Sequence, residues 1–208
     1  LIHIAACLWD VNKRSEKFSL CYDESWVEKL YRGFKRNLTV PFRFVLFTDR
    51  IRKFNEPIDQ ELLSTKEPHY GCLIEPFKLN VPMMIVGLDT VVVRNVDHFA
   101  HYCLTESRLA LPNHPTKKDY GFINAVAFVP AGHRAIFDKW RGENDMEWLR
   151  RSDAVDASIL WPRQLQSLKL HEVPLGNQPP EDARIIYMHG SRKPHELTNV
   201  QWIREHWR

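Results

Sequence analysis

Asp89 is the residue whose setting most demands a chemical explanation. It stands between two very apolar segments, Met83–Val86 and Val91–Val93, within the run Gly87-Leu88-Asp89-Thr90. A carboxylate placed there is expensive to bury unless a partner or a cation compensates it. Two roles fit. At a strand end it can offer hard oxygen to magnesium or manganese, and such a cation would neutralise a diphosphate leaving group as a Lewis acid. Alternatively, it caps a turn by bonding backbone N–H groups. A second cluster, His189-Gly190-Ser191-Arg192-Lys193-Pro194-His195, follows an apolar run directly. There His189 can ligate a metal through a neutral nitrogen, Gly190 permits tight backbone geometry, and Arg192 and Lys193 suit phosphate oxygens. A basic surface turn ended by proline explains the same residues. Asn124 opens the run Ile123–Val129 and either meets a sugar hydroxyl or serves as a turn residue before a strand. Asp153 and Asp156, three apart, either cap a helix or face an acceptor.

The elements that must position these groups are legible as periodic runs. Ile2–Trp9 (IHIAACLW) reads as a buried parallel strand, followed by a polar loop, Asp10–Leu20. Ser25-x-x-Glu28 is a candidate capping box opening a helix with Trp26, Val27, Leu30, Tyr31 and Phe34 on one face. Lys29, Arg32, Lys35 and Arg36 form its opposite, solvated face. Phe42–Phe47 is the second strand, closed by Thr48-Asp49. A β–α–β opening implies parallel strands, a right-handed crossover and a ligand beyond the carboxyl ends of the strands. Those ends are Trp9-Asp10 and Thr48-Asp49-Arg50. Further strands are expected at Met83–Val86, Val91–Val93, Leu109–Leu111, Ile123–Val129 and Ala183–Met188. Helices are expected at Gly132–Trp140, Asp145–Arg151 and Leu197–Trp207, the last with Val200, Ile203 and Trp207 on one stripe. The loop Pro112–Tyr120 separates two of the strands.

Composition narrows the class. A chain of 208 residues, 44% hydrophobic and 26% charged, suits one α/β domain spanning 1–208 and needs no covalent staple. Seven Trp, eleven Phe and six Tyr supply both core and stacking surfaces for sugars or nucleobases. A net charge of +3 suits an anionic small ligand and is too weak to imply nucleic-acid binding. Cys7, Cys21, Cys72 and Cys103 form no C-x-x-C pair, and free thiols fit a reducing compartment. Leu1–Trp9 has no basic leader or cleavage site, and Val81–Val93 is interrupted by Pro82, Gly87 and Asp89. A cytoplasmic protein without a membrane span is therefore expected. P-loop, Rossmann dinucleotide and nucleophile-elbow motifs are absent from the sequence.

Taken together, these residues resemble a known family. Met83–Asp97 (MMIVGLDTVVVRNVD) is similar to the acidic DxD strand of GT-A glycosyltransferases. Ile185–Glu196 (IIYMHGSRKPHE) is similar to the late H-x-x-G-x-x-K-P element of the glycogenin and lipopolysaccharide-galactosyltransferase group, and closer to the FHG-x-x-KPHE version of bacterial and phage-encoded relatives. The opening strand, the helix Val27–Leu38, the segment Phe42–Asp49 and the closing Trp202–Trp207 follow in the expected order, so the resemblance runs nearly end to end.

The resemblance implies a GT-A fold with a mostly parallel central sheet flanked by helices. It implies a nucleotide-sugar donor, most often a UDP-sugar, a hydroxyl acceptor, and a divalent metal, Mn2+ or Mg2+. Carried over, Asp89 matches the second DxD acid and ligates the metal with His189. Gly190 and Lys193 match the diphosphate-binding part, and Arg192 beside them is a further candidate cation for the diphosphate. Trp9, Asp10, Thr48 and Asp49 fall where such folds hold the nucleoside. Asn124 falls near the Asn-Ser-Gly segment that faces sugar and acceptor. No general base is carried over by the resemblance; Asp156 is a candidate if the fold brings it near the sugar. The sequence departs from the pattern at four places. Gly87 replaces the first DxD acid, Tyr187 the first histidine, Ala125-Val126 the Ser-Gly of Asn-Ser-Gly, and Leu73 a lysine. These losses motivate one alternative, a catalytically weakened nucleotide-sugar-binding protein. The basic face at Lys29–Arg36 motivates another, a transferase acting on modified DNA. The oligomeric state is not legible.

Overall fold

The computed structural model describes residues 1–16, 21–190 and 192–208. Residues 17–20 of the expected loop Asp10–Leu20 and Ser191 of the late loop lie outside the described residues. In β1 (Ile2–Leu8), alternate side chains enter opposite cores. Ile2, Ile4, Ala6 and Leu8 join one, and Ala5, Cys7 and the following Trp9 join the other. β2 (Phe42–Thr48), β4 (Met83–Val86) and β7 (Val126–Val129) divide in the same way. A sheet apolar on both faces must be covered on both.

The cover on the first face is α1 (Glu24–Asn37) and α2 (Asp97–Thr105), which bury Trp26, Leu30 and Phe34 and Phe99 and Cys103 respectively. On the second face lie a 3-10 helix, Tyr70–Leu79, and the short helices α3 (Ala135–Asp138) and α4 (Asp145–Leu149). The main sheet has seven strands in the order β3-β2-β1-β4-β7-β6-β8, where β3 is Ile58–Leu62, β6 is Leu109–Leu111 and β8 is Ala154–Asp156. β1, β2, β3 and β4 run parallel, as do β6 and β8, whereas β7 runs against both of its neighbours. The chain is thus α/β, with a mostly parallel central sheet flanked by helices.

A smaller sheet has the order β5-β10-β9, from Thr90–Val92, Ile185–Tyr187 and Leu165–Ser167. Its antiparallel register sets Thr90 opposite Tyr187. The backbone N–H of Met188 donates to the carbonyl of Asp89 at 2.9 Å, which extends the pairing by one step. That pairing brings the acidic turn and the late basic loop together across a hundred residues of chain. α5 (Ala157–Leu160) and α6 (Gln201–His206) complete the helices. Trp202, Ile203 and Trp207 bury themselves against the first core, with the Trp26 and Trp207 rings 4.9 Å apart.

The expected capping box does not form. Asp23 is the N-cap of α1, and its Oδ1 accepts from the Ser25 N–H at 2.9 Å and the Ser25 hydroxyl at 2.6 Å. Glu28 is drawn away to the backbone N–H of Asn55 at 2.7 Å. The helices expected at Gly132–Trp140 and Leu197–Trp207 are shorter than their apolar patterns, α3 covering only the middle of the first and α6 the later part of the second. Among the described residues, no helix is long and apolar enough to cross a membrane.

Candidate functional site

A cavity of about 520 Å³ opens beyond the carboxyl ends of β1 and β4. That is the place where open parallel sheets receive ligands, and the volume falls in the range of small-molecule pockets. Leu8 and Trp9 continue β1 into it, and Val86 to Asp89 continue β4. Tyr22, Tyr70 and Tyr120 add aromatic walls, and Asn124, Asp145, His189, Gly190 and Lys193 add polar groups.

At the polar end, the Asp89 carboxylate is held by two donors. The Tyr22 hydroxyl donates to Oδ2 at 3.0 Å, and the Lys193 ammonium forms an ion pair with the same oxygen. Lys193 Nζ also donates to the Met188 carbonyl at 2.9 Å, and the residue is only 8% exposed. Burial and the neighbouring Asp89 charge push the Tyr22 phenol well above its usual range, so it stays a donor. The His189 ring is stacked on Tyr187, with centroids 6.0 Å apart, and its Nδ1 lies 3.3 Å from the Ser167 hydroxyl. Burial lowers the His189 pKa against the pull of Asp89, which favours the neutral imidazole. Gly190 adopts a φ of 89°, a conformation that L side chains rarely reach, and no atom would meet an added Cβ there within 4 Å. Glycine is therefore required by the backbone turn rather than by crowding.

At the other end of the cavity, the Asn124 amide donates to Asp145 Oδ2 at 2.9 Å. Asp145 is 4% exposed, and burial raises its pKa to about 6, with the Asn124 hydrogen bond opposing. Asn124 Oδ1 and Trp9 Nε1 are buried and lack partners among the described residues. An acceptor and a donor without partners in a cavity wall are open to a ligand's polar groups. Leu73, where the family resemblance expects lysine, lines the cavity as an apolar wall.

Of the residues singled out from sequence, Asp89, His189, Gly190, Lys193, Asn124 and Trp9 line this cavity. Asp10, Thr48 and Asp49 sit at the same sheet edge but are gathered around a different centre, Arg52, whose side chain is almost fully buried. The Arg52 guanidinium donates to Thr48 Oγ1 at 2.8 Å, Asp10 Oδ1 at 2.9 Å, Asp49 Oδ1 at 2.7 Å and Glu24 Oε1 at 2.9 Å. Arg50 adds a bond to Asp10 Oδ2 at 2.7 Å. The hydrogen bonds from Arg50 and Arg52 lower the Asp10 pKa to about 2. Arg192 is exposed and stands outside the cavity lining. Asp156 also stands outside the lining. It caps α5 through the Ser158 N–H at 2.8 Å and accepts from the Asn113 amide at 2.7 Å.

Sequence reasoning missed Tyr22, Asp145 and Arg52. Tyr22 and Arg52 carry no local signal. Asp145 follows Asn144, the N-cap of α4, and reads from sequence only as a first-turn acid.

Protein donors for a divalent cation are few in this cavity. Among the described residues no group of three His, Cys, Asp or Glu side chains is placed to hold a metal ion. Asp89 Oδ2 is already engaged by an ammonium and a phenol, and Gly87 offers no second acid. A cation of the magnesium kind is held by one or two carboxylates with waters and substrate phosphates completing an octahedron, and here Asp89 is the one candidate carboxylate at this end of the cavity among the described residues. In comparisons with known proteins, no family model matches the chain and no curated protein matches its sequence.

Proposed function

We propose that this protein is a glycosyltransferase of the GT-A kind that moves a sugar from a nucleotide-sugar, a UDP-sugar being the expected donor, to a hydroxyl acceptor. The observation that carries the reading is the convergence of Asp89, His189, Gly190 and Lys193 in one aromatic-walled cavity beyond the carboxyl ends of β1 and β4. The sequence resemblance names the same four residues. The polar end offers an ammonium and an open backbone turn suited to diphosphate oxygens. Trp9, Tyr22, Tyr70 and Tyr120 offer faces for a nucleobase or a sugar ring. Asn124 and Asp145 offer acceptors for sugar hydroxyls.

The step balances as a displacement. The acceptor hydroxyl oxygen bonds to the anomeric carbon as the bond from that carbon to the β-phosphate oxygen breaks. The nucleoside diphosphate leaves with the electron pair, and the hydroxyl proton passes to the departing phosphate or to solvent. Lys193 stabilises charge developing on the leaving group, as a preorganised cation does in a water-poor site. The basic face of α1 lends no support to an acceptor of modified DNA. Lys29 lies 3.7 Å over the Trp207 ring, Arg32 and Lys35 pair with Glu56, and Arg36 donates to the His206 carbonyl.

A thermal-shift screen of nucleotide-sugars, followed by an assay for released nucleoside diphosphate, tests the proposal. Stabilisation by one nucleotide and its sugar conjugates, with turnover of the conjugate, supports it by linkage. Stabilisation without turnover on any donor and acceptor would leave a binding protein and refute the transferase. No stabilisation by any nucleotide would refute both.

A further inference from the structure

Lys193 differs from an ordinary surface lysine in three respects. It is 8% exposed, it is ion-paired to Asp89, and its Nζ is fixed on the Met188 carbonyl at 2.9 Å. The Tyr22 ring lies beneath it, with Nζ 5.5 Å from the centroid. An ammonium has three N–H donors, and these two bonds engage two of them. One oxygen of Asp89 is doubly engaged, because Tyr22 donates to the same Oδ2 that Lys193 holds. The loop has also closed onto the carboxylate: a Cβ at Gly87 would come within 3.1 Å of Asp89 Oδ1. A divalent ion reaching this carboxylate would have only Oδ1 free of a bound donor, and among the described residues it would find no second acid beside it.

We infer that the Lys193 ammonium, anchored on Asp89, is the resident cation of this pocket and that nucleoside diphosphate is held there without a divalent metal. The inference rests on the nucleotide-sugar reading and deepens it. In this arrangement Asp89 is a positioning residue: it fixes the direction of the ammonium rather than ligating a metal. Tyr22 holds the carboxylate in turn, and the phenol keeps its proton because burial and Asp89 both oppose ionisation. His189 and the Gly190 turn line the same cavity as the ammonium, whose third N–H is left for a diphosphate oxygen.

Calorimetric titration of UDP into the full chain, once in EDTA and once in excess manganese, tests this. The expected result is a Kd that agrees within about threefold between the two conditions. Lys193→Met is expected to weaken UDP by at least about tenfold in both, whereas Lys193→Arg, which keeps a cation, recovers most of the loss. Manganese tightening wild-type binding by about tenfold or more would overturn the inference while leaving the nucleotide-sugar reading intact. Absence of UDP binding in either condition, with other nucleoside diphosphates equally silent, would overturn both. Should Lys193→Met fail to fold, the wild-type comparison and Lys193→Arg decide the matter.

Discussion

Asp145→Asn exchanges a carboxylate for an amide of the same shape in the cavity wall, and its consequences can be worked out from the site. Burial raises the Asp145 pKa from 3.8 to about 6, against the pull of the Asn124 amide, backbone N–H groups and Arg150. A shift of about two units corresponds to about 3 kcal/mol between the protonation states. The sign follows from proton binding: the folded state holds this proton more tightly than the unfolded chain. Ionised Asp145 therefore costs stability above pH 6, and the cost disappears as pH falls from about 6 to about 3.8. The asparagine carries no such charge, and its NH2 can donate to Asn124 Oδ1, which is buried without a partner among the described residues. The variant is thus expected to be more stable than the parent at pH 7 by about 3 kcal/mol, or roughly 6–12 °C in Tm for a chain of this size. Calorimetric melts of both proteins from pH 4 to pH 8 measure it. The gap is expected to be small at pH 4, to grow through pH 5–6 and to be flat above. A variant less stable than its parent at pH 7, or a gap independent of pH, would refute the reasoning. A carboxylate kept in a cavity wall at such a cost points to function. The same variant is expected to bind UDP normally but a UDP-sugar about tenfold more weakly, through loss of one charged hydrogen-bond acceptor.

Other consequences are open to simpler checks. Gly190→Ala forces a left-handed backbone onto alanine, at a cost of about 1–2 kcal/mol, and is expected to lower Tm and weaken UDP binding in parallel. Asp23→Ala removes the N-cap of α1, with a loss of about 1 kcal/mol and no change in ligand affinity, so a chemical-denaturation midpoint should fall while UDP calorimetry does not move. Arg52→Met frees Asp10 from one of its two guanidinium partners, and an NMR pH titration should show the Asp10 carboxyl rising from about 2 toward 3.8. An unmoved Asp10 would assign the depression to Arg50 alone.

Much of the fold is legible because strands buried on both faces leave mostly apolar runs. β1, β2, β4, β7 and β10 all show this, and the carboxyl-edge location of the site follows from the first two. β3 escaped because Ile58–Leu62 reads IDQEL, a polar pattern that only an edge strand tolerates. The short β8 and β9 offer three residues each, too few for any period to emerge. The cap of α1 was misplaced because Ser25-x-x-Glu28 and Asp23 are both plausible starts. The tertiary bond from Asn55 to Glu28 decides between them. In the site, residue types at Asp89, His189, Gly190 and Lys193 were readable, but the ion pair of Asp89 with Lys193 was not. It arises from the antiparallel register of Thr90 with Tyr187, which no local pattern encodes. Asp10, Thr48 and Asp49 were placed at the right sheet edge, yet Arg52, only three residues beyond Asp49, takes up their side chains. Asp145 owes its character to burial by neighbouring elements, which composition alone does not reveal.

A crystal structure of the protein with UDP bound, grown in EDTA, tests the central claim most directly. The account predicts pyrophosphate density beside Gly190 and within hydrogen-bond reach of Lys193 Nζ, with the base or ribose against the aromatic wall that includes Trp9. Nucleotide density elsewhere on the molecule, or a pyrophosphate turned away from Lys193 and Gly190, would contradict it.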